Sequence, residues 1–183
     1  TNVFTSFNSD GFTVGNDATT NGTSSETYVA WSWQAGAGTS SSNTSGSITS
    51  TVSVNATAGF SVVTYAGTGS SATVGHGLGV APSMVIIKNR TLGTENWAVY
   101  HVSTGAAYWL LLSGTNAAIN NTTIWNNTTP TSSTISLGAI SNTNVSGSNF
   151  VGYFFSAVAG YSAFGSYTGN GSSDGPFVFL GFR

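Results

Sequence analysis

The chain has 183 residues, of which 39% are hydrophobic and only 4% charged, and its formal net charge is −2 at pH 7. This length and apolar content suffice for one domain, or two small ones, with a real core. Three Lys and Arg residues are too few for the basic patch that nucleic acid or an anionic membrane surface would require. With no Cys and no apolar run of ~18 residues, the sequence predicts neither disulfides nor membrane insertion.

Strand patterns recur along the chain, whereas helical periodicity is nearly missing. The predicted strands, in chain order, are Phe12–Val14, Tyr28–Trp33, Ser47–Val54, Phe60–Tyr65, Met84–Lys88, Trp97–Val102, Tyr108–Leu112, Thr134–Leu137, Phe150–Phe155, Tyr161–Tyr167 and Phe177–Phe182. Turn residues separate them, as is typical of sandwiches. The sequence therefore predicts an all-β protein, an antiparallel β-sandwich of jelly-roll or laminin-G-like type, with less than about a tenth of its residues in helices.

The same alternation identifies a candidate core, because one face of each strand is apolar. Met84–Ile87 and Trp109–Leu112 are continuously apolar, which indicates that both faces of these strands are covered. We expect the following residues to be buried: Trp31, Trp33, Phe60, Val85, Ile87, Trp97, Val99, Leu110 and Leu112.

The chain carries an internal repeat. Its matching segments occur in the same order, Tyr28–Trp33 with Phe150–Phe155, Gly59–Ser61 with Gly160–Ser162, and Tyr65–Ser71 with Tyr167–Ser173. The alternative is that turns rich in Gly, Ser and Tyr look alike by chance. Because such a repeat is interrupted at both ends of the chain, we expect the terminal strands to pair with a neighbouring chain or domain.

The repeat and one low-complexity stretch suggest a domain organisation. Ala35–Ser47 is rich in Gly, Ser and Thr, a composition typical of a flexible linker. We interpret residues 1–36 as the end of one repeat, 37–47 as the linker, 48–155 as a full β-sandwich repeat and 156–183 as the start of the next.

Several ordered motifs point to a known family. Gly59–Gly69, Val74–Pro82 and Met84–Lys88 (GFSVVTYAGTG, VGHGLGVAP and MVIIK) resemble repeats in tail and virion structural proteins of marine bacteriophages, which are similar in pattern to laminin-G and concanavalin-like sandwiches. The resemblance implies a non-enzymatic virion structural protein of tail-fibre or appendage type, located in the virion or outside the cell. Its implied partners are copies of itself, other virion proteins and a host-surface glycan. The alternative is a bacterial or archaeal cell-surface adhesin or extracellular filament subunit.

The residues themselves offer little catalytic chemistry. The acidic residues lie in separate turn-like segments, at Asp10, Asp17, Glu26, Glu95 and Asp174, whereas glycoside hydrolysis needs two opposed carboxylates. His76 lies in a glycine-dense loop and His101 on a predicted strand, without the motif of a nucleophile. We therefore predict no enzyme, no cofactor and no metal site, with calcium near Asp10, Asn16, Asp17 and Asn21 as a weaker alternative.

One aromatic residue stands apart from the strands. Trp125 lies in Asn120–Pro130, among side chains that form hydrogen bonds, and an exposed Trp ring could stack on a sugar. We predict Trp125, Asn126 and Asn127 as ligand-binding residues in a loop at one end of the sandwich. The alternative is that Ile124 and Trp125 fill the edge of the sandwich.

Overall fold

A computed structural model describes residues 3–22 and 24–182; residues 1, 2, 23 and 183, which belong to the first and last predicted repeat segments, lie outside the described part. The chain divides into two compact units, Thr1–Trp33 and Gln34–Arg183. It is an all-β protein with 0% helix and 33% strand, and its large antiparallel sheet forms a β-sandwich, which confirms the predicted fold class. Within the described residues, no helix has the length and apolar character needed to cross a membrane.

The smaller unit is built on a hairpin of β1 (Phe4–Asn8) and β2 (Gly11–Val14). The ring of Phe4 lies 5.7 Å from that of Phe7 and 5.3 Å from that of Phe12, which joins the two strands on one face. Tyr28–Trp33 forms no strand, so the strand predicted there is wrong.

The core positions predicted in this unit are also wrong. Trp31 is 77% exposed and Trp33 is 53% exposed. Alternation along a strand only marks a face that could be buried, and burial also requires a second layer against that face. Residues 26–35 adopt no strand in the structure, so their alternating side chains have no sheet face to share.

The described residues of the larger unit form ten strands. They are β3 (Ser41–Asn43), β4 (Ser50–Asn55), β5 (Phe60–Ala66), β6 (Ala72–Gly75), β7 (Met84–Asn89), β8 (Ala98–His101), β9 (Tyr108–Leu111), β10 (Ile119–Asn120), β11 (Thr134–Leu137) and β12 (Asn149–Phe155). Eight of them form one antiparallel sheet in the order β10-β9-β8-β7-β12-β5-β4-β3, and β6 pairs with β11 in a second, two-stranded sheet. A parallel bridge between Ile48 and Val74 links the approach to β4 with the smaller sheet.

The core lies between the inner face of the large sheet and a layer made of β6, β11 and the loops around them. Phe150 and Phe154 of the central strand β12 are fully buried, and their rings stack on those of Tyr65 at 5.1 Å and His76 at 5.5 Å. The other fully buried apolar side chains include Val63, Val74, Val85, Ile87, Ile124, Trp125, Ile135 and Leu137. Burial of one Phe, Leu or Ile side chain in this way contributes about 1.5–3 kcal/mol to the stability of the fold.

The predicted core of this unit is partly confirmed. Phe60, Val85, Ile87 and Val99 are buried, whereas Trp97 and Leu110 are half-buried. Leu112 is 61% exposed because β9 ends one residue earlier, so the expectation that it is buried is wrong.

The proposed flexible linker contains an edge strand of the large sheet. β3 pairs with β4 through Ser41–Val52, Ser42–Thr51 and Asn43–Ser50. The stretch before it is tied to the same edge, since the Gly36 amide donates to Ser53 Oγ at 3.0 Å and that hydroxyl donates to the Thr39 carbonyl at 2.8 Å. Residues 37–47 are therefore not a flexible linker: Ser and Thr side chains anchor the backbone where apolar contacts are missing.

Two further predicted strands are wrong. Residues 161–167 form only one isolated bridge, between Val158 and Ser162, and residues 177–182 form none. Tyr161, Tyr167, Phe177 and Phe179 are exposed. The division into repeats itself stays a prediction.

Candidate functional site

Trp125 is not the exposed platform that the sequence suggests. The side chain is 0% exposed, its Nε1 donates a hydrogen bond to the Tyr108 carbonyl at 3.1 Å, and its ring meets Tyr100 edge-on at 6.0 Å. A ring so enclosed cannot stack on a sugar, so the predicted site at Trp125 is corrected. Ile124 is equally buried, so the pair packs in the sandwich as in the alternative, but in its core rather than at its edge.

Asn126 and Asn127 are exposed, and the backbone conformation at these two positions explains why Asn occurs there. Their φ angles are 50° and 46°, in the left-handed region that Asn tolerates better than most residues. The Asn126 amide donates to Thr123 at 2.9 Å and the Thr128 amide to Trp125 at 3.0 Å, which closes a tight turn. This turn inserts Trp125 into the core, while ligand binding by Asn126 and Asn127 stays a prediction.

The outer face of the large sheet offers the more substantial surface. Side chains alternate along each strand, so Val85 and Ile87 of β7 point inward while Met84, Ile86 and Lys88 point outward. The strand register places six outward-facing residues in one row across this face: Leu110, Val99, Ile86, Tyr153, Val62 and Ser53. The row is apolar at its β9 end and becomes polar towards β4.

An open depression of about 420 Å³ occupies the polar corner of this face. It lies where β4, β5, β7 and β12 end, and its lining is Ser42, Thr49, Ser50, Thr51, Thr64, Tyr65, Ala66, Arg90, Thr91, Asn149 and Phe150. Thr51 stands directly opposite both Ser42 and Thr64 in the sheet register. Most of the side chains that line the depression are therefore hydroxyl donors and acceptors.

Two hydrogen bonds hold the backbone at Arg90, the residue that brings charge to this depression. The Arg90 amide donates to the Asn149 carbonyl at 2.8 Å, and the Asn149 amide donates to Thr91 Oγ1 at 2.9 Å. These bonds extend the pairing of β7 with β12 past Asn89. Of the described residues that line the depression, Arg90 alone is charged, so the depression is electropositive.

Lys88 and Trp97 lie next to this corner on the same face. Lys88 Nζ donates to the carbonyls of Glu95 and Gly93 and sits 5.9 Å from the centre of the Trp97 ring. Trp97 is half-buried, stacks on Tyr153 at 6.5 Å and lines a smaller cavity of about 170 Å³ with Leu112 and Ser113. We call the depression together with Lys88 and Trp97 the outer-face site.

Sequence reasoning missed this site, although one signal was available. Lys88 and Arg90 are two of only three basic residues, and a spacing of two places both on one face of a strand. Thr51, Thr64 and Asn149 lie on separate strands, and only the sheet register brings them beside Arg90.

The titratable groups in the interior serve the fold. Burial raises the pKa of Tyr65 well above its ordinary value, and the Tyr65 hydroxyl donates to the Thr143 carbonyl at 2.6 Å. Glu95 Oε2 accepts a hydrogen bond from Ser141 Oγ at 2.9 Å. Among the described residues, no group of three or more His, Cys, Asp or Glu side chains could hold a metal ion.

His76 is fully buried and is held as the neutral imidazole. Its Nε2 donates to the Thr131 carbonyl at 3.2 Å, and its Nδ1 accepts from the Leu78 amide at 3.3 Å. Burial lowers the pKa of His76 below 6.5, although the bond to Thr131 opposes this shift. A proton on Nδ1 would also face the Leu78 N–H, which is itself a donor.

The free energy of unfolding should therefore decrease as the pH falls below the pKa that His76 has in the unfolded chain, 6.5. The unfolded chain takes up a proton there that the folded chain resists, while above that pH this residue has no effect. Urea denaturation between about pH 7.5 and about pH 5.5 measures the decrease. His76→Gln should flatten the profile, and an unaltered profile in this variant would contradict the assignment.

Comparison with protein families gives one match. A family model described as a domain of unknown function, DUF7483, covers residues 1–183. The chain belongs to the DUF7483 family. Comparison of this DUF7483 chain with curated proteins and with solved structures gives no match.

Proposed function

We propose that the chain is a non-enzymatic structural and adhesive module of a bacteriophage virion appendage, which packs against copies of the same fold and contacts a host-surface glycan. The observation that carries this proposal is an exposed aromatic segment, residues 161–182, whose first part matches in sequence a strand that is buried elsewhere in the same chain. The phage context comes from the sequence resemblance.

The two matching segments have opposite environments. In β5, Phe60 and Tyr65 are 4% and 5% exposed, and each packs on a ring from β12, Phe60 on Phe155 at 4.9 Å and Tyr65 on Phe150 at 5.1 Å. Their sequence counterparts Tyr161 and Tyr167 are 61% and 71% exposed. An exposed segment that has the aromatic sequence pattern of a buried strand marks a surface that a protein neighbour covers. A second β-sandwich of the same type would supply strands equivalent to β4 and β12.

The chemistry of the chain supports binding over catalysis. General acid–base catalysis needs a side chain positioned at the reacting group with a pKa near the working pH. His76 has both ring nitrogens engaged with backbone groups in the interior, and the outer-face depression is lined by neutral side chains and Arg90. Such a lining can hold a polar ligand but offers no base to activate water or a nucleophile.

Replacing Phe177 and Phe179 with Ser should weaken self-association of the chain by at least about tenfold, since burial of each apolar side chain is worth about 1.5–3 kcal/mol. These side chains are 89% and 80% exposed, so the folded monomer should not be destabilised. Sedimentation equilibrium across a concentration series measures the dissociation constant.

The matched control replaces with Ser two apolar residues that are exposed elsewhere on the chain, Val80 and Val102, at 52% and 49%. This double variant should associate like the parent chain. A parent chain that stays monomeric throughout, or equal weakening in both double variants, would contradict the assembly. Release of reducing ends from any polysaccharide by the pure chain would contradict the non-enzymatic function.

A further inference from the structure

We propose that the outer-face site binds a carboxylated saccharide, with Arg90 as the partner of the carboxylate. This assignment rests on the adhesive function proposed above and names the class of glycan. Its basis is the meeting, on one open face, of a cation, a set of neutral hydroxyl and amide groups, and an aromatic ring.

Arg90 suits a carboxylate in particular. A guanidinium presents a planar fork of N–H donors that pairs with the two oxygens of a carboxylate. The described residues around it in the depression carry no acid that would compete. A polyphosphate or nucleic acid would require several cations in a row, whereas Lys88 is already engaged by the carbonyls of Glu95 and Gly93.

The rest of the depression suits a sugar ring. Thr51, Thr64, Thr91 and Asn149 offer hydroxyl and amide groups that can donate to and accept from sugar hydroxyls. Its volume of about 420 Å³ is within the range of about 300–1,000 Å³ that is typical of ligand pockets. Thr51, Thr64 and Asn149 project from paired strands, and Thr91 Oγ1 accepts from the Asn149 amide, so these side chains are positioned before any ligand arrives.

Trp97 adds an apolar surface for an adjoining sugar. Its ring is half-buried and stacks on the ring of Tyr153, with the ring centres 6.5 Å apart. Apolar faces of sugar rings pack on such aromatic surfaces, and the small cavity beside Leu112 and Ser113 leaves the Trp97 edge accessible. An extended saccharide can thus reach from the hydroxyl-lined depression past Lys88 to Trp97.

The test uses the full chain, biotinylated and tetramerised on streptavidin, because single open sites bind weakly and linkage raises the effective concentration. The probes are an oligogalacturonate and its methyl ester, which differ in charge but not in the sugar. We expect the tetramer to bind the acid form and to bind the ester about tenfold more weakly, as loss of a charge-assisted hydrogen bond implies. Binding should also weaken with added salt.

Arg90→Gln should lower affinity for the acid probe about tenfold, and Arg90→Lys should lose less, because it keeps the charge but not the fork. A matched pair at the exposed Thr51 separates charge from loss of the hydroxyl: Thr51→Glu should abolish binding of the acid probe, while Thr51→Gln, which removes the same hydroxyl but adds no charge, should weaken binding less. Circular dichroism melting curves show whether each variant is folded.

Equal affinity of parent and Arg90→Gln for the acid probe would overturn the assignment, as would equal affinity of the parent for acid and ester. Binding of the ester alone would overturn it while leaving an adhesive function for neutral glycans. Binding of neither probe would also overturn it, and sedimentation equilibrium would then decide separately whether the assembly part of the proposed function stands.

Discussion

Replacing Trp125 with Ala should lower the free energy of unfolding by about 3–5 kcal/mol, the usual cost of deleting a buried aromatic side chain. The side chain is 0% exposed and lies among core residues, so the deletion leaves a cavity. It also removes the hydrogen bond from Nε1 to the Tyr108 carbonyl. Chemical denaturation followed by far-ultraviolet circular dichroism measures the change.

Trp31→Ala is the matched control, because the same atoms are removed from a side chain that is 77% exposed. Its unfolding free energy should stay within about 0.5 kcal/mol of the parent, as for most surface substitutions. If the two variants were equally stable, Trp125 would not be a core residue. Any loss of glycan binding in Trp125→Ala should follow the unfolded fraction, since the ring is not accessible to a ligand.

A strand was predictable from the sequence when its own residues and the adjoining turns define it, and was missed when only distant residues do. Thr134–Leu137 and Phe60–Tyr65 were predicted within one residue of β11 and β5, because apolar side chains alternate there between clear turns. Four strands, β1, β3, β6 and β10, were missed. β3 is Ser-Ser-Asn and β10 has two residues, so neither carries a hydrophobic pattern, and only pairing with a neighbouring strand defines them.

Burial was less predictable than strand formation, because it depends on contacts distant in sequence. Tyr28–Trp33 and Phe150–Phe155 have the same aromatic pattern, yet only the second lies between two other strands and is buried. Trp125 shows the converse, since its neighbours in sequence are polar while its contacts, Tyr100 and Tyr108, come from β8 and β9. A local pattern cannot distinguish these cases.

The outer-face site was unpredictable for a related reason. Its members come from five strands, β3, β4, β5, β7 and β12, and a slip of one residue in any of them would turn that strand's contribution inward. Thr64 lies opposite Thr51 on one side and Val151 on the other, and this register places Asn149 and Arg90 at the same corner. The sequence gives the residues, but their register follows from the packing of the whole inner face.

Gly138→Ala should cost about 2–4 kcal/mol of unfolding free energy, through overpacking and a strained hydrogen bond. A Cβ at Gly138 would overlap the Thr123 carbonyl oxygen and lie 2.8 Å from its carbon, and backbone atoms cannot move aside as a side chain can. The Gly138 amide also donates to the Ile124 carbonyl at 3.1 Å. The added methyl group should therefore push away the loop that carries Ile124 and Trp125.

Gly93→Ala provides the control, because a Cβ there meets nothing within 4 Å. Its unfolding free energy should lie within about 0.5 kcal/mol of the parent. Denaturation curves for both variants, with near-ultraviolet circular dichroism as a probe of aromatic packing, give the comparison. Similar stability of the two variants would show that the loop can relax away from Gly138 at no cost.

A double-mutant cycle tests whether the cost at Gly138 arises through Trp125. If the methyl group acts by lifting Trp125 out of the core, much of that cost should vanish when Trp125 is already Ala, giving a coupling of about 0.5–3 kcal/mol. If the cost arises only from the clash with Thr123, the two changes should add. Coupling would show that the close approach at Gly138 keeps the Trp125 ring in the core. The ring is carried there by a polar turn in which Asn126 and Asn127 have left-handed conformations.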